Sequence, residues 1–183
     1  MTGINPASPN IGIDYLPEAD KMKTNIHDPN SIKFYDKYTP YYIFSNFYDK
    51  APFIISGITY LTPEHYFQSE KFTDPIVRQR IIKAQTGLMA MQIANQNKNL
   101  AKQGFNDMGL MLNALRAKFS QNPSIATDLV KTIPNQLIFH TMNDNYWGDG
   151  GNGSGWNHLG QLLVKVRDEL KTGTLSTTKP FMG

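Results

Sequence analysis

Apolar positions along this chain change period several times, and each change marks an element. Ile32-Lys33-Phe34-Tyr35 alternates, as a half-buried strand does. Residues 52–61 read as two short strands around Ser56-Gly57. Thr62-Pro63 then opens a helix, with Thr62 as its N-cap and Pro63 at the first helical position. Pro75, with Asp74 as cap, starts a further helix through Ile82, and Gly87 separates it from one near Leu88–Lys102. Over Asp107–Gln121, Met108, Leu112, Leu115 and Phe119 recur with the helical period. Pro123 begins another helix that ends before Pro134, and Gln136–His140 reads as a strand. The last helix spans Trp156–Lys171, with Leu159, Leu162, Leu163, Val166 and Leu170 along one side. Helices outnumber strands and do not alternate with them. The expectation is an α+β fold: a single helix-rich domain over roughly 31–172 with a small antiparallel or mixed sheet. Residues 1–30, with four prolines and no sustained period, are expected to be a mobile extension, and 173–183 a frayed tail.

Three polar clusters interrupt this pattern. Glu64, Gln68 and Lys71 fall at steps i, i+4 and i+7, which places them within about 60° of one another on the helix after Thr62. Such a stripe is either a solvated face or the floor of a site. As a site, Glu64 would be a general acid/base and a desolvated Lys71 a nucleophilic amine. As a plain helix, Glu64 favours the dipole and Lys71 is a surface cation. His65 could orient a partner, although a lone His among aromatics is more often a packed core residue. Phe44-Ser45-Asn46-Phe47 is either a loop that hydrogen-bonds a sugar or base, or a turn satisfying its own backbone.

The third cluster, Asn143 to Gly160, carries glycines at 148, 150, 151, 153 and 155 beside Tyr146, Trp147 and Trp156. The glycines could let backbone amides approach phosphate, and the rings could face a base. The spacing matches neither GxGxxG after a strand nor a GK[ST] phosphate loop. The competing reading is a flexible surface loop anchored by its tryptophans. In Ala114-Leu115-Arg116-Ala117-Lys118-Phe119, Lys118 reads as a solvated cation.

Composition narrows the chemistry. The chain has no cysteine, which excludes disulfides, thiolate catalysis and Cys-based zinc sites. Its four histidines, His27, His65, His140 and His158, form no metal-type pair at helical spacing, so no metal is expected. The net charge of +3 permits phosphate contact without demanding nucleic acid. No run of about 18 apolar residues is present, so no membrane contact is expected, and the start lacks a signal-peptide pattern. A cytosolic or nuclear monomer is the expectation.

In order and separation, four segments resemble the NADAR (YbiA-like) family. They are Phe44-Ser45-Asn46-Phe47; Glu64-His65-Tyr66-Phe67-Gln68 with Lys71-Phe72; Ala114-Leu115-Arg116-Ala117-Lys118-Phe119; and Trp147-Gly148-x-Gly150 with Gly155-x-Asn157-x-Leu159-Gly160. The resemblance runs from about Phe34 to Leu170. It implies a helix-rich α+β domain and an N-glycosidase that needs no cofactor. Its substrate would be ADP-ribose on the amino group of guanine, in a nucleotide or nucleic acid. Alternatives are ribosylaminopyrimidine phosphates of riboflavin synthesis, or ADP-ribose held without chemistry. On this reading Lys71, Glu64 and Asp144 are catalytic. Ser45, Asn46, Phe47, His65, Gln68, Tyr146, Trp147, Gly148, Gly150 and Asn157 bind substrate, with Gly148–Gly150 amides meeting phosphate. Gln103 and Asp107 stand near where the family commonly has a Trp and a Lys. Phe139 or His140 stands where it often has an acidic residue. Both departures bear on substrate choice.

Overall fold

The computed structural model describes residues 24–175; the rest of the expected extension and tail lie outside the described residues. Strand β1 (Ile32–Phe34) leads into a 3-10 turn over Pro40–Phe44. A hairpin follows, β2 (Phe53–Ile55) and β3 (Ile58–Tyr60), paired antiparallel with Phe53 opposite Tyr60. Its turn uses Ser56 and Gly57, both at positive φ (50° and 77°), as a tight two-residue connection requires.

Six α-helices and one further strand complete the described fold: α1 (Pro63–Ser69), α2 (Pro75–Ile82), α3 (Gly87–Gln96), α4 (Asp107–Gln121), α5 (Pro123–Val130), β4 (Leu137–Phe139) and α6 (His158–Thr172). Local chemistry sets the boundaries. Thr62, Asp74, Thr86 and Asn106 each accept a backbone N–H at a helix start. Pro63, Pro75 and Pro123 occupy the first helical position. The helix expected over Leu88–Lys102 ends earlier, at Gln96, and Lys98–Leu100 forms a separate 3-10 turn. The last helix starts at His158 rather than Trp156, because Asn157 adopts a left-handed conformation.

Strands β1 and β4 pair in parallel, Ile32 beside Leu137 and Phe34 beside Phe139, although far apart in sequence. Around them lies the main core of Phe34, Phe44, Leu115, Phe119, Leu129, Leu159 and Leu163, closed by α4, α5 and α6. A second core, Phe72, Val77, Ile81, Ala90 and Ala94, joins α2 to α3. A third sets Phe53 and Tyr60 of the hairpin against Tyr66 and Ala114. Helix α1 runs between these cores and touches α2, α3 and α4. The fold is α+β and helix-rich, with two small two-stranded sheets. No described helix is long and apolar enough to cross a membrane.

Candidate active site

Every residue of α1 is buried, Glu64 and Gln68 included, which excludes a solvated face. Two anchors hold the helix there. The Tyr66 hydroxyl accepts from Asn113 at 2.9 Å, and its ring meets Tyr60 edge-on at 5.1 Å. His65 bridges Thr62 Oγ1 (2.8 Å) and the Ala84 carbonyl (3.0 Å). Both ring nitrogens of His65 are thus committed to protein groups. Burial holds its pKa below the ordinary value, so the bridge is a neutral imidazole. The structure therefore assigns His65 to the start of α1 and not to substrate.

The carboxylate of Glu64 is fixed at both oxygens. Gln68 Nε2 donates to Oε1 at 2.7 Å, and Asn46 Nδ2 donates to Oε2 at 2.5 Å. The Glu64 N–H also donates to the Asn46 carbonyl at 3.1 Å, so the two residues are clamped by backbone and side chain together. Asn46 is 5% exposed, yet among the described residues its Oδ1 has no partner. Buried polar groups are nearly always satisfied, so this acceptor is suited to a donor brought by a ligand.

The segment before Glu64's partner is shaped by its own backbone and by a lysine. Ser45 Oγ accepts from the Phe47 N–H at 3.1 Å. Lys118 is fully buried and donates to the carbonyls of Ile43 (2.7 Å) and Ser45 (2.9 Å). Lys118 is therefore not the solvated cation that its place on an amphipathic helix suggests. A long amine from α4 thus satisfies the Ile43 carbonyl of the 3-10 turn and adds a second donor to Ser45 O, which also accepts from the Tyr48 N–H. Phe47 lies against the start of α3, where a Cβ on Gly87 would stand 2.9 Å from the ring and 3.3 Å from Glu64 Cβ.

Lys71 follows α1 and is half-buried. Its ammonium sits 4.1 Å from the Phe67 ring centroid and 5.3 Å from that of Phe105. Among the described residues it forms no hydrogen bond or ion pair. Burial lowers its pKa, while the charges of Glu64 and Asp107 oppose this. Burial raises the pKa of Glu64, opposed by the Gln68 bond, the Lys71 charge and the Asn46 bond, and the Asp144 charge pushes it further up. The two groups are drawn toward each other in proton affinity, as a proton-exchanging pair requires. Asp107 and Phe105 reach Lys71 because Phe72 bridges Ala101 and the Lys102 N–H donates to the Lys71 carbonyl at 2.8 Å. Phe105, Gly87 and the role of Lys118 escape sequence reasoning. The Glu64-to-Lys71 spacing gives no sign of the 101–107 segment that walls it.

The glycine-rich segment completes the site differently from the expectation. Trp147 meets Phe67 edge-on at 5.4 Å, and Tyr146 meets Trp147 edge-on at 5.1 Å, which brings both rings beside Lys71's support. Asp144 Oδ1 caps the turn by accepting from the Tyr146 and Trp147 N–H groups (2.9 and 2.8 Å). Its backbone amides, however, turn inward. Asp149 N donates to Phe139 O and Gly150 N to Asp144 O. The N–H groups of Trp156, Asn157, His158 and Leu159 donate to the carbonyls of Asn145, Gly148, Tyr146 and Trp147. The Asp149 and Gly150 amides and the start of α6 are therefore closed to a phosphate. The glycines serve protein packing: a Cβ on Gly155 would lie 2.5 Å from the Gly148 carbonyl oxygen, and one on Gly160 would clash with Leu137 O. Asn157 is likewise internal, bridging Phe139 N–H and Leu137 O at 2.9 Å each. Among the described residues no cluster of three or more metal-ligating side chains forms.

The structure thus gathers Asn46, Phe47, Glu64, Gln68, Lys71, Asp144, Tyr146 and Trp147 around one site, with Ser45 shaping the turn beneath Asn46. His65 and Asn157 belong to the scaffold, as do the Gly148 fold and the Gly150 amide. An N-glycosidase, YbiA, of Shigella flexneri serotype 5b is 39% identical over 76% of this chain and 88% of its own length. A riboflavin biosynthesis protein of Vibrio vulnificus is 31% identical over 82% of this chain and 41% of its own. The NMR structure of Escherichia coli YbiA superposes with a TM-score of 0.72 at 36% identity, covering 82% of this chain and 90% of that one. The family model of the NADAR domain matches residues 33–171, and the chain belongs to the NADAR family.

Proposed function

We propose that this protein is an N-glycosidase that removes ADP-ribose from the amino group of guanine in nucleic acid. The observation that carries the reading is the pairing of a buried Glu64 with a half-buried Lys71. One is a carboxyl held toward its protonated form by burial, the other an amine held toward its neutral form by burial, and among the described residues neither forms a salt bridge. Membership in a family whose curated relatives include N-glycosidases supports the reaction class.

Guanine's exocyclic amine leaves poorly from a closed ribose. Opening the sugar ring gives a C1′ imine to the guanine nitrogen, which the neutral Lys71 amine attacks. The C1′–N(guanine) bond breaks as Glu64 gives its proton to the departing amine, leaving C1′ joined to Lys71 as an imine. Water then adds, Glu64 recovers a proton, and the Lys71–C1′ bond breaks to release ADP-ribose. The balance is one water consumed and no redox change. Asn46 Oδ1 accepts a ribose hydroxyl, Phe67 and Phe105 hold the Lys71 stem, and Tyr146 with Trp147 flank the base.

The test is mass spectrometry of a guanine-ADP-ribosylated oligonucleotide incubated with the wild type and with Lys71→Ala. The expected result is loss of the ADP-ribose mass with the wild type alone. Full activity in Lys71→Ala overturns the covalent step. A second reading, hydrolysis of ribosylaminopyrimidine phosphates, is favoured by the likeness to the Vibrio riboflavin protein. It predicts turnover of those phosphates and an untouched oligonucleotide.

A further inference from the structure

Lys118 lies fully buried between α4 and the turn that carries Asn46, and the proposed chemistry leaves it unused. Burying an amine is unfavourable unless its donors are taken. A neutral amine keeps two N–H donors, and two carbonyls meet them, Ile43 O at 2.7 Å and Ser45 O at 2.9 Å. Satisfying a bare carbonyl explains the bond to Ile43. It does not explain the bond to Ser45, whose oxygen already accepts from the Tyr48 N–H at 3.2 Å. That second bond fixes the peptide between Ser45 and Asn46 from behind. From Asn46 the connection runs on to the reacting carboxyl. The Asn46 carbonyl accepts from the Glu64 N–H at 3.1 Å, and Asn46 Nδ2 donates to Glu64 Oε2 at 2.5 Å. Among the described residues, the hydrogen bonds that join this turn to α4 are those of Lys118. The charges that shift Glu64 are those of Lys71 and Asp144, so the influence of Lys118 on the carboxyl passes through position and not through its field.

We propose that Lys118 is a positioning residue of the active site: by holding the Ser45–Asn46 peptide it keeps the Asn46 amide on Glu64 and leaves Asn46 Oδ1 turned toward substrate. The inference rests on the glycosidase reading above for its kinetic consequence, and on the hydrogen-bond chain alone for its geometry. Misplacing a catalytic group by about 1 Å lowers a rate by about 10²-fold. Freeing the turn while Glu64 stays on its buried helix should therefore lower kcat/KM by about 10- to 100-fold. A residue that acts through the Asn46 side chain has little further effect once that side chain is gone.

The test is a double-mutant cycle of Lys118→Met and Asn46→Ala, with kcat/KM read on a guanine-ADP-ribosylated oligonucleotide. Each single variant should lose about tenfold or more, and the double variant should lie within about threefold of Asn46→Ala alone. Effects that multiply across the cycle, or wild-type kcat/KM in folded Lys118→Met, overturn the proposal. If Lys118→Met does not fold, the cycle is run with Lys118→Gln, which keeps a polar amide on a shorter stem. A second readout needs no turnover. The Asn46 side-chain amide protons, assigned in the NMR spectrum by their absence in Asn46→Ala, should exchange with solvent about tenfold or more faster in the Lys118 variant than in the wild type. Equal exchange rates overturn the proposal. If the wild type does not consume the oligonucleotide, the glycosidase reading fails and the positioning role is judged by this exchange alone.

Discussion

Helix α1 and the glycine-rich segment 143–157 both carry dense polar sequence beside aromatics, and they use it in opposite ways. In the segment, polar groups face one another. Asp149 accepts from Thr141 N, Gly151 N and His140 Nδ1, and Asn157 satisfies two backbone groups of β4. In α1 the polar groups are fixed but left with capacity. Glu64 can take or give a proton, and among the described residues the Lys71 ammonium just beyond α1 forms no salt bridge and the neighbouring Asn46 Oδ1 has no partner. A saturated network is architecture; one that keeps an open valence in a buried place is poised for a ligand. The more conspicuous motif is thus mostly scaffold, while the short helix and its flank keep the open capacity that the proposed chemistry uses.

The comparison breaks most sharply at Lys71. Lys71→Ala should lower turnover by about 10⁴-fold or more, because both halves of the covalent route pass through its amine. Its melting temperature should move little, since no hydrogen bond is lost. Borohydride added during turnover should fix a ribose adduct on the wild type and none on the variant. Turnover reduced only a fewfold would return Lys71 to an ordinary surface cation.

Glu64→Gln comes next, with an expected loss of about 10²- to 10⁴-fold in kcat. The helix should remain intact, because the Asn46 amide can turn to accept where it now donates. The wild-type profile of kcat/KM against pH should be a bell whose limbs lie inside the ordinary Glu and Lys values of 4.5 and 10.5. Because the route uses a protonated Glu64 and a neutral Lys71, Glu64→Gln should abolish the basic limb and leave a rate that rises with pH to a plateau. A basic limb that survives belongs to another group.

Asn157→Ala probes the scaffold side. It strips the Phe139 N–H and Leu137 carbonyl of their partners and places a Cβ-bearing residue without a polar side chain at φ 51°. The expected cost is about 3 kcal/mol of stability, read by denaturant unfolding. Activity per folded molecule should be nearly unchanged. A stable but inactive variant would move Asn157 into the site.

These two regions were not equally legible in sequence. The stripe of Glu64, Gln68 and Lys71 follows from helical period, and Thr62 and Asp74 follow from capping chemistry, so local rules suffice for both. Contacts that close the site cross the chain. Asn46 reaches Glu64 across 18 residues, and Phe105 reaches Lys71 through a β-bridge of Phe72 with Ala101, which no local period encodes. The glycines at 155 and 160 signal close approach correctly, but not that the approaching atoms are the protein's own carbonyls. The parallel pairing of β1 with β4 is similarly invisible, since each strand has only three residues and the partner lies beyond five helices.

Lys118 gives the smallest and most local test, because it supports the site from behind without touching it. Burial among apolar groups pushes its pKa down to about 7, while two carbonyls accept from the amine in either protonation state. An unfolded lysine titrates near 10.4. Below pH 7 both states hold the proton, and burial of the charge costs the fold a constant amount. Between about 7 and 10.4 the unfolded state binds more protons, so stability rises with pH across that window. From pH 7 to 8 the gain from this group is about 1 kcal/mol. Lys71 is shifted in the same direction, so the wild-type slope alone does not isolate Lys118. Lys118→Met removes the titration and keeps the stem. The difference between wild-type and variant unfolding free energies should therefore grow in the wild type's favour from pH 7 to 8. A parallel pair of stability curves would mean that the buried amine keeps its ordinary pKa, with the carbonyls of Ile43 and Ser45 stabilising the ammonium against burial.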